Sequence, residues 1–322
     1  MVVKMIKIIK FGGTIINNDK YLKNIYKIID NELNDNNKLI IVVSAMGRDE
    51  EPYSTSKFTK LGSNLNEIDL AELLSYGERI SSLVFLNSLI SKNYKASVIR
   101  FEELGINLKG DYLKGELDYL ENKKISDKLK DNNILIVPGF IGINNNKIGL
   151  LGKGGSDLTA LYLAKMLNVK EIYLYKDVNG LMSGDPKVIV DCKTIEELSY
   201  DEALIFAQCG AQIVQQQAIN EAKEFDIIIK VCSIIDLKEK TLISSSESNL
   251  IFKGIMSNDN YIYLISDNYK EYCDNICDIL EKYNFECKDV VINPHFIRLE
   301  LEGGKRNFAM NILHHYFISK NN

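Results

Sequence analysis

Lys7-Ile8-Ile9-Lys10-Phe11-Gly12-Gly13-Thr14 runs a short β-branched stretch straight into a pair of glycines. A strand ending in Gly-Gly brings backbone N–H groups close to a phosphate that a Cβ would exclude, and Lys10 adds a point charge. Alone, Lys-x-Gly-Gly reads more readily as a tight turn with a solvated lysine. Its surroundings decide. Tyr21 to Leu33 repeats apolar residues at helical spacing and Leu39 to Val43 is a second β-branched run, which spells strand, helix, strand. The pattern recurs with helical Leu70 to Leu89, strand-like Ala96 to Arg100, a buried strand at Ile134 to Val137, helical Leu158 to Leu167 and a strand at Ile172 to Tyr175. One or two helices in Tyr200 to Phe225 and a last strand at Ile227 to Val231 complete it. Such alternation predicts an α/β fold, a three-layer αβα sandwich about a mainly parallel sheet, with ligands at the carboxyl ends of the strands.

The polar run Ser244 to Asn249 reads as a linker, dividing the chain into domains at 1–245 and 250–322. The tail alternates strand-like Tyr261 to Ser266, helical Tyr269 to Tyr283, strand-like Val290 to Leu301 and helical Asn307 to Tyr316, a small α+β module. Asn34 to Asn37 and Asn144 to Asn146 read as turns.

Of 322 residues 46% are hydrophobic, and the net charge of -5 comes from interspersed acidic and basic residues. No basic stripe is present, which argues against nucleic acid as a partner. No window approaches the roughly 18 uninterrupted apolar residues that span a bilayer, and Met1 to Ile9 carries Lys4 and Lys7, so it reads as a strand. A soluble, cytoplasmic protein with no membrane partner is expected. The six cysteines are scattered and His295, His314 and His315 all lie in the tail, so no protein metal site is expected.

The chain has two more glycine turns. Lys153-Gly154-Gly155-Ser156-Asp157 precedes a helix whose N-terminus suits an anion, though Asp157 could equally be that helix's N-cap. Tyr175-Lys176-Asp177-Val178-Asn179-Gly180, then Ser183-Gly184-Asp185-Pro186-Lys187, has the chemistry of a loop wrapping a nucleotide or of a plain surface turn.

Taken together these pieces resemble the aspartate kinase family of the amino-acid kinase fold. The resemblance runs in order from Lys10 to about Ile243, through Val42-Val43-Ser44-Ala45-Met46-Gly47, Ser75-Tyr76-Gly77-Glu78, Val137-Pro138-Gly139-Phe140, Gly152 to Asp157, Asp177 to Gly180 with Asp185-Pro186, and Leu198-Ser199-Tyr200-Asp201-Glu202. Gly47-Arg48 followed by Pro52-Tyr53 is most similar to the monofunctional bacterial members.

The resemblance implies ATP-dependent phosphorylation of the L-aspartate side-chain carboxylate, with Mg2+ bridging the phosphates. It implies catalytic roles for Lys10, Gly12, Gly13 and Asp157, and substrate contacts from Ser44, Thr55, Glu78, Lys153 and Ser156, with Glu78 and Asp157 on the α-amino group. Nucleotide contacts are implied for Lys10, Gly13, Lys176, Asp177, Gly180, Asp185, Lys187 and Gln212. A homodimer and an ACT-like tail also follow from the resemblance, the 72 residues beyond 250 having room for one such module where the family carries two. Lys153 stands where the family has arginine, and Gln212 follows Gly210-Ala211 where it has a phosphate-facing lysine. A same-fold kinase for another acid, or a paralogue that binds ligands without turnover, shares much of this pattern.

Overall fold

A computed structural model describes residues 5–47, 51–211, 213–248, 252–258, 261–266, 269–301 and 305–319. They fall into two compact units, Met1–Val178 with Gln217–Lys238, and Asn179–Gln216 with Glu239–Asn322.

The first unit opens with β1 (Ile6–Phe11), α1 (Gly13–Ile16), α2 (Asp19–Asn34), β2 (Lys38–Val43), α3 (Thr55–Leu61), α4 (Glu67–Ile90) and β3 (Ala96–Val98). It continues with β4 (Ile106–Lys109), β5 (Glu116–Leu120), α5 (Lys123–Asp131), β6 (Ile134–Pro138), β7 (Ile141–Asn144), β8 (Lys147–Leu150), α6 (Gly155–Leu167) and β9 (Glu171–Lys176). The chain passes through β10 (Glu197–Ser199) and α7 (Tyr200–Gln208), then adds α8 (Gln216–Phe225) and β11 (Ile228–Ser233) to the first unit.

Within that unit the order β11-β9-β1-β2-β6-β3 is parallel throughout. Parallel strands covered on both faces need not alternate, and Leu39 to Val43 are accordingly all buried. One face of the sheet presents Ile9, Phe11, Leu39, Ile41 and Val43 to Ile25, Ile28 and Ile29 of α2 and to Phe85 and Leu89 of α4. On β1, β9 and β2 packs α6, in which Gly155 to Ala164 are all buried. Little of α6 faces water, so it reads as apolar on every side. This confirms the α/β architecture.

A second sheet, β5-β4-β7-β8, accompanies the first. Its strands have four or five residues each, too short and mixed for a period of two to stand out. Its β7–β8 hairpin turns on Asn145 and Asn146, both at positive φ (48° and 61°), where Asn is tolerated better than most side chains.

In the second unit β12 (Lys240–Ser244) pairs parallel to β10. The tail contributes β13 (Phe252–Asn258), β14 (Tyr261–Ser266), α9 (Tyr269–Lys282), β15 (Cys287–Asn293), β16 (Phe296–Leu301) and α10 (Arg306–His314). Its antiparallel sheet runs β13-β14-β16-β15, an α+β module consistent with an ACT-like unit. The single strand expected over Val290 to Leu301 is two strands, because Asn293 Oδ1 accepts the His295 N–H at 3.1 Å and turns the chain.

Leu198 to Glu202 has a structural account. Ser199 Oγ accepts the Glu202 N–H (3.2 Å) while the Glu202 carboxylate accepts the Ser199 N–H, a capping box at the start of α7. Lys253 and Ser248 then complete the hydrogen bonding of Glu202.

Candidate active site

β1 and β9 are neighbours with Lys10 beside Leu174, so Lys176 ends β9 two residues further along, on the same face of the sheet as Lys10. That face is the one α6 covers, and the first turn of α6 inserts Asp157 between the two lysines. Lys10 Nζ lies 2.8 Å from Asp157 Oδ1 and Lys176 Nζ lies 3.1 Å from Oδ2. The Lys10 contact is ionic but off the direction a hydrogen bond requires, leaving Oδ1 without a directed donor among the described residues. Burial alone would raise the Asp157 pKa, but the Lys10 and Lys176 charges outweigh it and hold the carboxyl at about 2. Burial, with Lys10 nearby, pulls Lys176 below the ordinary lysine value against the opposing pull of Asp157.

The N-cap of α6 is Gly154 at φ 81°, so Asp157 lies in the first turn and does not cap the helix. Of the two sequence readings of this residue, capping is therefore excluded.

Glu78 sits on the buried side of α4. Its Oε1 accepts the Ala45 N–H at 3.1 Å and its Oε2 has no hydrogen-bond partner among the described residues. Burial pushes its pKa up to about 8, with the Ala45 N–H and Lys10 working against the rise. At neutral pH, then, Glu78 is an uncharged acid, and two lysines against one aspartate leave this group a net positive charge. Such a site attracts anions.

Around it, Ser44 Oγ donates to Ser156 Oγ at 3.0 Å and Thr14 Oγ1 donates to Asp177 Oδ2 at 3.3 Å. Phe140, quoted in the sequence pattern without a role, has φ 70°, a conformation costly for a bulky residue. It is held by the Thr159 hydroxyl on its N–H (3.0 Å) and by a Leu151 N–H on its carbonyl (2.8 Å). A Cβ at Gly139 would lie 2.7 Å from Ser156 Cβ, so this strained turn fixes where α6 begins. Strain of this kind has no signature in hydropathy.

The two glycines after β1 do different work. A Cβ on Gly13 would stand 1.8 Å from the Ala45 carbonyl oxygen, whereas one on Gly12 would meet nothing within 4 Å, and Gly12 has an ordinary extended backbone (φ -68°, ψ 156°). Gly13→Ala is expected to lower stability by about 2 kcal/mol or more through backbone displacement. Gly12→Ala should leave the melting temperature unchanged, because its Cβ enters open space. Thermal unfolding of both variants checks this; a melting temperature for Gly12→Ala as low as that of Gly13→Ala would refute the distinction.

The structure thus gathers Lys10, Gly12, Gly13, Ser44, Glu78, Ser156, Asp157, Lys176 and Asp177 at the carboxyl ends of β1, β2 and β9 and the start of α6. Thr55 opens the seven-residue α3, whose cap is Ser54, and forms no hydrogen bond with that group among the described residues. Lys153 is exposed on the turn before α6. Gly180, Asp185 and Lys187 belong to the second unit, where Gly180 has φ 75° and Asp185 Oδ1 accepts the Lys187 N–H at 2.9 Å. Gln212 and Arg48 lie outside the described residues.

The sequence model of the Amino acid kinase family matches residues 5–233. The Geobacillus stearothermophilus aspartokinase is 30% identical over 275 residues, covering 84% of this chain and 67% of that protein. The aspartokinase of Bacillus sp. MGA3 is 31% identical over 78% of this chain and 62% of its own length. The chain therefore spans about two thirds of the length of these curated relatives. Among solved structures, E. coli aspartokinase III in complex with aspartate and ADP superposes with a TM-score of 0.67 at 21% identity, over 93% of this chain and 79% of that one. Aspartate kinase from Synechocystis gives 0.65 at 20% identity, over 95% and 54%. At these identities the structures speak for the fold, and the family match and the aspartokinase relatives speak for descent. This chain belongs to the amino acid kinase family and, within it, to the aspartokinases.

Proposed function

We propose that the protein transfers the terminal phosphoryl group of ATP to the side-chain carboxylate of L-aspartate, giving 4-phospho-L-aspartate and ADP. The observation that supports this most is the pair of ammonium groups on Asp157, Lys10 buried and Lys176 half-buried, at the strand ends beside Gly12 and Gly13. Phosphoryl transfer is served by positioning and by charges aimed at the transferring oxygens. Lys10 and Lys176 supply the charges, and Asp157 holds them in place until the polyphosphate arrives. The acceptor carboxylate is ionised near neutral pH, so no general base is needed.

Glu78 Oε2 receives the α-ammonium of the substrate. Ser44, Ser156 and Thr55 contact its carboxylates, with Lys153 offering one charge where an arginine would offer a fork. Asp177 begins the nucleotide loop, and Gly180, Asp185, Lys187 and Gln212 follow it along the chain as further nucleotide contacts.

Mg2+ enters with ATP as part of the substrate. The described residues hold no cluster of three or more His, Cys, Asp or Glu, and Asp157 is already neutralised by lysines. That donor set fits a hydrated Mg2+ carried by phosphates and at most one or two carboxylates. The same reading divides the chain into a catalytic region at 1–245 and an ACT-like regulatory region at 250–322, and takes the assembly to be a cytoplasmic homodimer. No described helix is long and apolar enough to cross a membrane.

Mg2+-dependent ADP release with L-aspartate, trapped as the hydroxamate, tests the activity against glutamate and N-acetylglutamate. Nucleotide and aspartate binding without turnover would instead assign a ligand-binding subunit, and turnover with another acid would reassign the acceptor.

Glu78 gives the reaction a pH signature. A carboxyl that must ionise to hold an ammonium, and whose pKa is about 8, predicts that KM for aspartate falls as pH rises from 7 to 9. Stability moves the other way: Glu78's contribution is complete below its ordinary value of 4.5 and is lost as pH rises through 8. Glu78→Gln should flatten both trends. Parallel KM and unfolding profiles across that range decide the matter, and a wild-type KM for aspartate that does not change with pH would remove Glu78 from the ammonium site.

A further inference from the structure

We infer that helix α10 of the tail positions the nucleotide loop, through Asn311 and His314. The inference rests on the reading of Gly180, Asp185 and Lys187 as nucleotide contacts.

Between β9 and β10 the chain makes a loop closed on itself. Ser183 donates its N–H to Lys193 O (2.8 Å), Ile195 donates to Leu181 O (2.8 Å), and the Leu181 N–H goes to Thr241 Oγ1 (2.8 Å). Its tip is the turn Asp185-Pro186-Lys187. The Asp185 carbonyl accepts the N–H groups of Val188 (2.9 Å) and Ile189 (2.8 Å), so the tip is one hydrogen-bonded turn that moves as a unit.

Each flank of that turn is fastened to the tail. Before it, Ser183 Oγ accepts the Lys193 N–H (3.0 Å) and lies 2.8 Å from His314 Nε2. Burial pulls the His314 pKa down to about 4, so the ring is neutral and Nε2 and the Ser183 hydroxyl share one hydrogen bond. The Ser183 carbonyl accepts the Ile255 N–H from β13 at 2.8 Å. After the turn, Asn311 Nδ2 donates to Val188 O (2.6 Å) and Asn311 Oδ1 accepts the Val190 N–H (3.2 Å). Ile189, between those two contacts, is buried in the tail's own core with Ile255, Met310 and Leu313.

Asn311 and His314 are three residues apart, hence on one face of α10, and between them they hold Ser183, two residues before Asp185, and Val188, directly after Lys187. A shift of α10 is carried to Lys187 through a single intervening residue. The tail is thereby part of the scaffold of the loop, and whatever displaces α10 changes nucleotide affinity before it changes anything at the acceptor.

Steady-state kinetics of the full chain, with ATP and aspartate varied separately, test this. Losing the two Asn311 contacts is expected to raise KM for ATP about tenfold in Asn311→Ala, with kcat and KM for aspartate unchanged. Asn311 is only partly buried, and alanine favours the helix, so this variant should fold. His314→Ala should act in the same direction and His314→Gln, which keeps a partner for Ser183, should restore the parent value. An unchanged KM for ATP, or equal rises in both KM values, would overturn the inference. Lys187→Ala separates the two readings: if it raises KM for ATP while Asn311→Ala does not, α10 has no positioning role. If Lys187→Ala also leaves KM for ATP unchanged, the loop is not a nucleotide contact and the inference falls with it.

Discussion

Lys10→Ala is expected to lower kcat by about a thousandfold or more, the range seen when one preorganised charge or donor is removed from a transition state. The protein should still fold. Lys10 is one of two ammonium groups on Asp157, and its removal leaves a one-to-one pair between Asp157 and Lys176, so no buried charge is stranded. Lost packing and lost attraction should cost about 1–2 kcal/mol. A coupled ADP assay and a urea melt separate the two effects; kcat within tenfold of the parent would take Lys10 out of the chemistry.

Asp157→Ala should be the most destabilising change in the site, at about 3–5 kcal/mol, because it strands the buried Lys10 ammonium beside the half-buried one of Lys176. Turnover should vanish with it, since the two ammonium groups proposed to face the phosphates lose the group that orients them. The sign of the pH response differs between parent and variant. In the parent, the Asp157 pKa of about 2 lies below its ordinary 3.8, so its contribution is full above 3.8 and is lost as pH falls toward 2. In Asp157→Ala the stranded repulsion is relieved as pH rises and Lys176, already below the ordinary lysine value, gives up its proton. The variant should therefore regain stability in alkali while the parent gains none from this group. Unfolding free energies at pH 3, 7 and 10 test this, and a loss under about 1 kcal/mol at pH 7 would show that Asp157 is not the keystone of the lysine pair.

Much of the fold was legible because its signals are local. Leu39 to Val43 is buried on both faces, so its unbroken apolar run survives in the sequence as a run. Tyr21 to Leu33 has one wet face, so its helical period shows. The β5-β4-β7-β8 sheet was not legible, for strands of four and five residues are too short for a period of two to stand out. The hairpin inside Val290 to Leu301 was missed for a related reason. What breaks that strand is one hydrogen bond from the His295 N–H to the Asn293 side chain, and β15 is largely exposed, so burial imposes no alternation on it.

The candidate site divides in the same way. Lys10, the glycine pairs, Asp157 and Glu78 could be found from order and residue type. Their charge states could not: Glu78 is neutral because of what surrounds it, and Asp157 is ionised because α6 delivers it between two strands. Nor could hydropathy show that Phe140 is strained or that Ser183 is tied to His314, 131 residues further on.

By itself the sequence determined the strand and helix alternation, the glycine turns at strand ends and the family, since each depends on residues close together along the chain. Folding alone sets which carboxyl carries a charge, which ammonium groups converge, and that α10 is hydrogen-bonded to the loop after β9. Those are properties of distance and of exclusion from water, and a linear chain has neither until it folds.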